Sequence, residues 1–100
     1  KMRKIIVLGD MLELGSNSNK FHNDLLEHLL QFDNCVVFTY GSLMKSLHHN
    51  ARLNSDLQIE HFNNQELLIK ALNNFIKEGD VIYVKGSRGM KMENIIKGLH

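Results

Sequence analysis

Four short β-prone runs alternate along this chain with four stretches whose apolar residues recur at helical spacing. That alternation restricts the fold more than any other feature. A strand that feeds a helix and then another strand calls for crossover connections, and crossovers join parallel strands. The runs Arg3–Leu8, Cys35–Tyr40, Leu57–Phe62 and Val81–Val84 read as strands. The first helix is predicted from about Lys20 to Phe32, with Phe21, Leu25, Leu29 and Phe32 on one face. Ser42 is placed to cap a second, striped by Leu43, Met44, Leu47 and Ala51. Asn63 and Glu66 have capping-box spacing for a third, carrying Leu67/Leu68, Ala71/Leu72 and Phe75/Ile76. Gly79-Asp80 ends it. A last helix from about Lys91 carries Met92, Ile95, Ile96 and Leu99. The expectation is an α/β fold: three layers, a mostly parallel sheet with helices on both faces. The nearly continuous apolar runs of strands one, two and four predict strands buried on both sides.

In such folds ligands bind beyond the carboxyl ends of the strands. Two loops there carry chemistry. The first, Gly9-Asp10-Met11-Leu12-Glu13-Leu14-Gly15, places Asp10 just after the first strand. A carboxylate there can meet a nucleotide hydroxyl, a cation or a substrate amine; equally, it can form a turn or cap backbone N–H groups. Met11, Leu12 and Leu14 suit packing the loop down. The second, Lys85-Gly86-Ser87-Arg88-Gly89, leaves the fourth strand and enters the last helix. Gly86 and Gly89 let the backbone turn and approach a ligand closely. Lys85, Arg88 and the helix-opening N–H groups would favour an anion, a phosphate or a carboxylate. The competing reading is a basic turn in solvent. Lys-Gly-Ser resembles the tail of a P-loop, but the upstream glycine of that motif is missing.

Composition excludes several classes. A net charge of +1 argues against a general nucleic-acid or anionic-membrane binder. Cys35 is the only cysteine, so no intrachain disulfide forms, and its apolar surroundings suit a buried thiol better than a nucleophile. No apolar stretch approaches the roughly 20 residues of a membrane span, and the four residues after Lys4 are too few for a signal peptide. The expected location is cytoplasmic. The chain starts almost directly on a strand, which suggests a piece of something longer. Its histidines lack the spacing of a metal site. His22, near the start of the first helix, either faces the cleft or sits in solvent. Ser87 has no nearby His or Asp to activate it, so no catalytic residue is assigned.

Val7–Gly15, a histidine soon after (His22), and Gly79–Glu93 together resemble the C-terminal domain of the Mur ligase family. The resemblance runs along the whole chain and is densest at its two ends. Within the family it favours the members that join D-Ala-D-Ala to UDP-N-acetylmuramoyl-tripeptide in peptidoglycan (cell wall) biosynthesis. It implies a Rossmann-like fold whose first βα unit is absent here, with residues 1–100 forming a partial incoming-substrate domain. It implies that ATP, with Mg2+, phosphorylates the tripeptide carboxylate, and that the dipeptide amine attacks the acyl phosphate. By this analogy Lys85, Gly86, Ser87 and Arg88 face the dipeptide and its carboxylate. Asp10 lies at the same cleft, toward the dipeptide or, with His22, the nucleotide side. The chain has no P-loop, no carbamylated-lysine region and no UDP-binding domain. By itself it is expected to be inactive and to bind no cofactor, its partner being the central ATPase domain of the same chain. The alternatives are a stand-alone α/β module for a nucleotide or anion, and a purely structural or dimerising fragment.

Overall fold

The computed structural model describes residues 3–10, 18–42, 44–86 and 90–99, the side chains of 18–23 apart. Its elements run β1 (Lys4–Gly9), α1 (Ser18–Leu29), β2 (Cys35–Tyr40), α2 (Met44–Asn54), β3 (Gln58–Phe62), α3 (Gln65–Phe75), β4 (Val81–Lys85) and α4 (Glu93–Gly98). The four strands form one sheet in the order β3-β2-β1-β4, every neighbouring pair parallel. The predicted α/β alternation is therefore the observed one.

The order explains the layers. The chain steps from β1 to β2 to β3 in one direction, then returns past both to lie on the far side of β1. Crossovers keep one hand, so reversing direction moves the connecting helix to the opposite face. One face accordingly buries Ile6, Leu8, Val37 and Ile59 under Leu26 and Leu29 of α1 and Met44, Leu47 and Ala51 of α2. The other buries Ile5, Val7, Val36 and Phe38 under Leu68 and Leu72 of α3 and Met92 and Ile95 by α4. The strand period of two assigns alternate residues of β1 to the two cores.

Several boundaries differ from expectation. Strand β4 is an edge, so its apolar run is not buried on both sides: Tyr83 is 54% exposed. Tyr83 pairs with Ile6 and shares its face, where α1 and α2 cover the other three strands. Helix α1 ends at Leu29, leaving Phe32 50% exposed rather than on a buried stripe. Leu67 and Ile96 are exposed too, because each stripe is narrower than its apolar count suggests. The N-cap of α3 is Asn64 rather than Asn63: its Oδ1 accepts the Leu67 N–H at 3.2 Å. Helix α4 starts at Glu93, two residues late, because Lys91 sits in the left-handed region at φ 51°.

A long-range pair closes the amino end of the sheet. Arg3 donates from Nε to Asp80 Oδ1 at 3.1 Å and from its terminal nitrogen to Asp80 Oδ2 at 2.6 Å. The guanidinium lies 4.1 Å from the Phe75 ring centre and donates to the Phe75 carbonyl. Asp80 also accepts the Lys77 N–H, and the bond from Arg3 is the main reason its carboxyl is held below the usual range. Planar guanidinium matches carboxylate and ring alike.

Candidate functional site

Strand β1 lies between β2 and β4, so the sheet order reverses on either side of it. In open α/β sheets this switch point, at the carboxyl ends, is where ligands bind. The register pairs Leu8 with Lys85, which brings Gly9-Asp10 alongside Lys85-Gly86. The two loops singled out in the sequence thus leave the sheet side by side.

The described residues have unequal roles there. Lys85 is exposed at the end of β4. Asp10 is only 2% exposed, and its Oδ1 accepts the N–H of Met44, the first residue of α2, at 2.8 Å. A carboxylate at a helix N-terminus takes up an unpaired donor and opposes the helix dipole. Of the two sequence readings of Asp10, this geometry fits the capping one; the helix it caps lies 34 residues on. Gly41, at φ 110°, passes so close that a Cβ would stand 2.5 Å from the Asp10 carboxyl carbon.

Gly86 lies close to Met92 and to Gly9. A Cβ there would meet Met92 Cγ at 2.7 Å and the Gly9 Cα at 3.2 Å. A Cβ on Gly9 would meet Met92 Sδ at 2.5 Å. The two glycines make room for Met92, which is 6% exposed and covers the switch point. Ser87, Arg88 and Gly89, and the packing expected of Met11, Leu12 and Leu14, lie outside the described residues. His22 falls in α1, its side chain likewise outside them.

Sequence reasoning treated Met92 only as a stripe residue and passed over Gln65. The Gln65 side chain donates to the carbonyls of Met90 (2.7 Å) and Lys91 (3.1 Å), tying the end of the second loop to the start of α3. No local signal marks it, because its partners lie 25 and 26 residues away.

A histidine pair sits beside this end of the sheet. His61 Nε2 and Asn63 Oδ1 are 3.2 Å apart. That oxygen only accepts, so Nε2 carries the proton and Nδ1 is free to take the Thr39 hydroxyl at 2.7 Å. The ring of His48 lies 5.8 Å from that of His61, and its Nε2 is buried without a partner among the described residues. Burial is the main cause lowering both pKa values below 6.5. The unfolded chain then binds protons more readily than the folded one. Their contribution to stability is complete above about pH 6.5 and is lost as pH falls through the folded values. Urea midpoints between pH 7.5 and 5.5 should fall, and fall less in His48→Gln; an equal fall in that variant would exclude His48.

At the amino ends of the strands a groove of about 600 Å³ is lined by Arg3, Leu30, Phe32, Cys35, Asp56 and Phe75 among others. It lies at the opposite end from the two loops. Cys35 is half-buried there and burial raises its thiol pKa, as fits a packing residue rather than a nucleophile. No helix among the described residues is long and apolar enough to cross a membrane.

The pattern "Mur ligase, glutamate ligase domain" matches residues 1–88 of this sequence. The chain belongs to the Mur ligase family. Among relatives of that family, the UDP-N-acetylmuramoyl-tripeptide–D-alanyl-D-alanine ligase of Bacillus subtilis is 36% identical over 97% of this chain. The enzyme of the same name from Rickettsia prowazekii is 31% identical over 93%. The chain spans about a fifth of their length, 21% and 20% respectively. Among solved structures, MurF from Acinetobacter baumannii matches with a TM-score of 0.82 at 27% identity, over 99% of this chain and 22% of that one. MurF ligase from Thermotoga maritima, solved in complex with ADP, matches with a TM-score of 0.76 at 28% identity, over 98% and 22%. The fold is that of a Mur ligase domain.

Proposed function

We propose that residues 1–100 are part of the C-terminal, incoming-substrate domain of an ATP-dependent ligase. That enzyme joins D-Ala-D-Ala to UDP-N-acetylmuramoyl-tripeptide in cell-wall synthesis. The observation that carries the reading is the side-by-side exit of the Gly9-Asp10 and Lys85-Gly86 segments at the switch point. Relatives aligned over nearly the whole chain bear that ligase's name and support it. In this reading the enzyme works in the cytoplasm, and the domain closes over the central ATPase domain of the same protein. Closure presents the dipeptide amine and keeps water from a hydrolysable acyl phosphate.

Lys85 and Arg88 supply the positive charge for the dipeptide carboxylate, Gly86 and Ser87 the backbone between them. Asp10 serves from below, as the cap that fixes α2 against the cleft, with His22 toward the nucleotide side. ATP and Mg2+ are assigned to the central ATPase domain of the full-length enzyme. Among the described residues no group of three or more His, Cys, Asp or Glu could hold a cation. Met92 lies against Gly9 and Gly86 at the switch point, where a free-standing nucleotide-binding module would seat phosphates, which weighs against that alternative.

In the full-length enzyme, Arg88→Ala should raise KM for D-Ala-D-Ala roughly 10- to 150-fold, as losing a charged hydrogen bond worth about 1.5–3 kcal/mol predicts. The KM for ATP should stay unchanged. Wild-type steady-state kinetics in that variant would remove Arg88 from the site.

A further inference from the structure

On either side of positions 87–89 the chain is held by side chains from other elements or from beyond the loop. At one end Met92 lies against Gly86 and Gly9 at once, so one thioether spans the ends of β4 and β1. At the other, Gln65 grips the carbonyls of Met90 and Lys91. Lys91 itself is a non-glycine residue at φ 51°, a conformation that persists where its surroundings impose it. Met92 precedes a helix of six residues, too short to define its own position.

We propose that Met92 and Gln65 are positioning residues: they fix where Lys85, Gly86 and Met90 stand relative to β1 and thereby set affinity for the incoming dipeptide without touching it. Met92 sets the height of Gly86 above the end of β1, and its partner contacts exist because positions 9 and 86 lack a Cβ. Gln65 sets the lateral position of Met90 by linking it to the first turn of α3. The functional half of this inference rests on the ligase reading above. The mechanical half, a lock made of Gly9, Gly86 and Met92, does not.

The test uses the full-length enzyme. Met92→Ala should raise KM for D-Ala-D-Ala about 10- to 100-fold, the scale on which a 1 Å displacement acts, while KM for ATP and kcat change little. Met92→Leu, which keeps the volume, should restore the wild-type value. Gln65→Ala should raise the same KM several-fold, and decides the matter where Met92→Ala fails to fold. The three atoms nearest a methyl on Gly9 all belong to Met92, the first at 2.5 Å. The loss of thermal midpoint in Gly9→Ala should therefore shrink in the Gly9→Ala/Met92→Ala background. An unchanged dipeptide KM in Met92→Ala and Gln65→Ala overturns the positioning role. So does an equal rise in the KM for ATP, which marks general damage. Additive losses of midpoint for Gly9→Ala and Met92→Ala overturn the lock. A wild-type enzyme that does not use D-Ala-D-Ala overturns the ligase reading instead, and leaves the midpoint cycle to judge the lock.

Discussion

Gly41→Ala should lower stability by about 3 kcal/mol, more than most single surface changes. The residue lies outside any helix or strand, so a bland outcome is the ordinary expectation. Two effects make it otherwise. At φ 110° a side chain is strained, which costs about 1–3 kcal/mol. The new methyl would also stand 2.5–2.6 Å from three atoms of the Asp10 carboxyl group. That carboxyl is buried and cannot retreat without releasing the Met44 N–H, a bond to a charged group worth roughly 1.5–3 kcal/mol. Asp10→Ala alone should lose about 1–2 kcal/mol, the usual value of an N-cap. The double variant removes the collision but keeps the strain, so its loss should be smaller than the sum of the two. Urea denaturation measures all three. A Gly41→Ala midpoint equal to wild type would mean that the Asp10–Gly41 contact is not as described.

The second large effect belongs to Ile95. Ile95→Ala should lower stability by about 3 kcal/mol, while Ile96→Ala should change it by less than about 0.5 kcal/mol. The sequence puts both on one apolar stripe. In the fold Ile95 is fully buried and Ile96 is 58% exposed. Helix α4 has six residues and owes its place to packing, not propensity. Ile95 and Met92 seat it on the sheet, and Asn73 holds its far end by donating to the Gly98 carbonyl at 3.0 Å. Gly98 lies against Ile69, where a Cβ would come within 2.9 Å. Truncating Ile95 removes the central anchor of that arrangement, and the second loop loses its exit support with it. Amide hydrogen exchange should show faster opening over residues 90–99 in Ile95→Ala and little change in Ile96→Ala. Matched behaviour of the two variants would place the buried face of α4 elsewhere.

The place of the candidate site was legible because the relevant rule is topological. A β-α alternation implies a parallel sheet, and a parallel sheet puts its ligand loops beyond the strand ends. That suffices to pick out Asp10 and Lys85–Gly89. Gly86 was legible as a close approach, but not as an approach to Met92. Composition shows that a Cβ is missing; it does not show which atom fills the space. Asp10 had two readings, and the donor that separates them belongs to Met44, on another element.

The sequence by itself determined the order and kind of the elements and the family, because periodicity and motif are local properties of the chain. The tertiary structure alone decided the strand order, and with it the edge position of β4 and the exposure of Tyr83. It also decided the contacts that define the cleft: Asp10 with Met44, Gln65 with Met90, and Met92 over Gly9 and Gly86. A hydrophobic period states that a face is buried. Which neighbour buries it depends on how the crossovers bring distant segments together, and no local pattern records that.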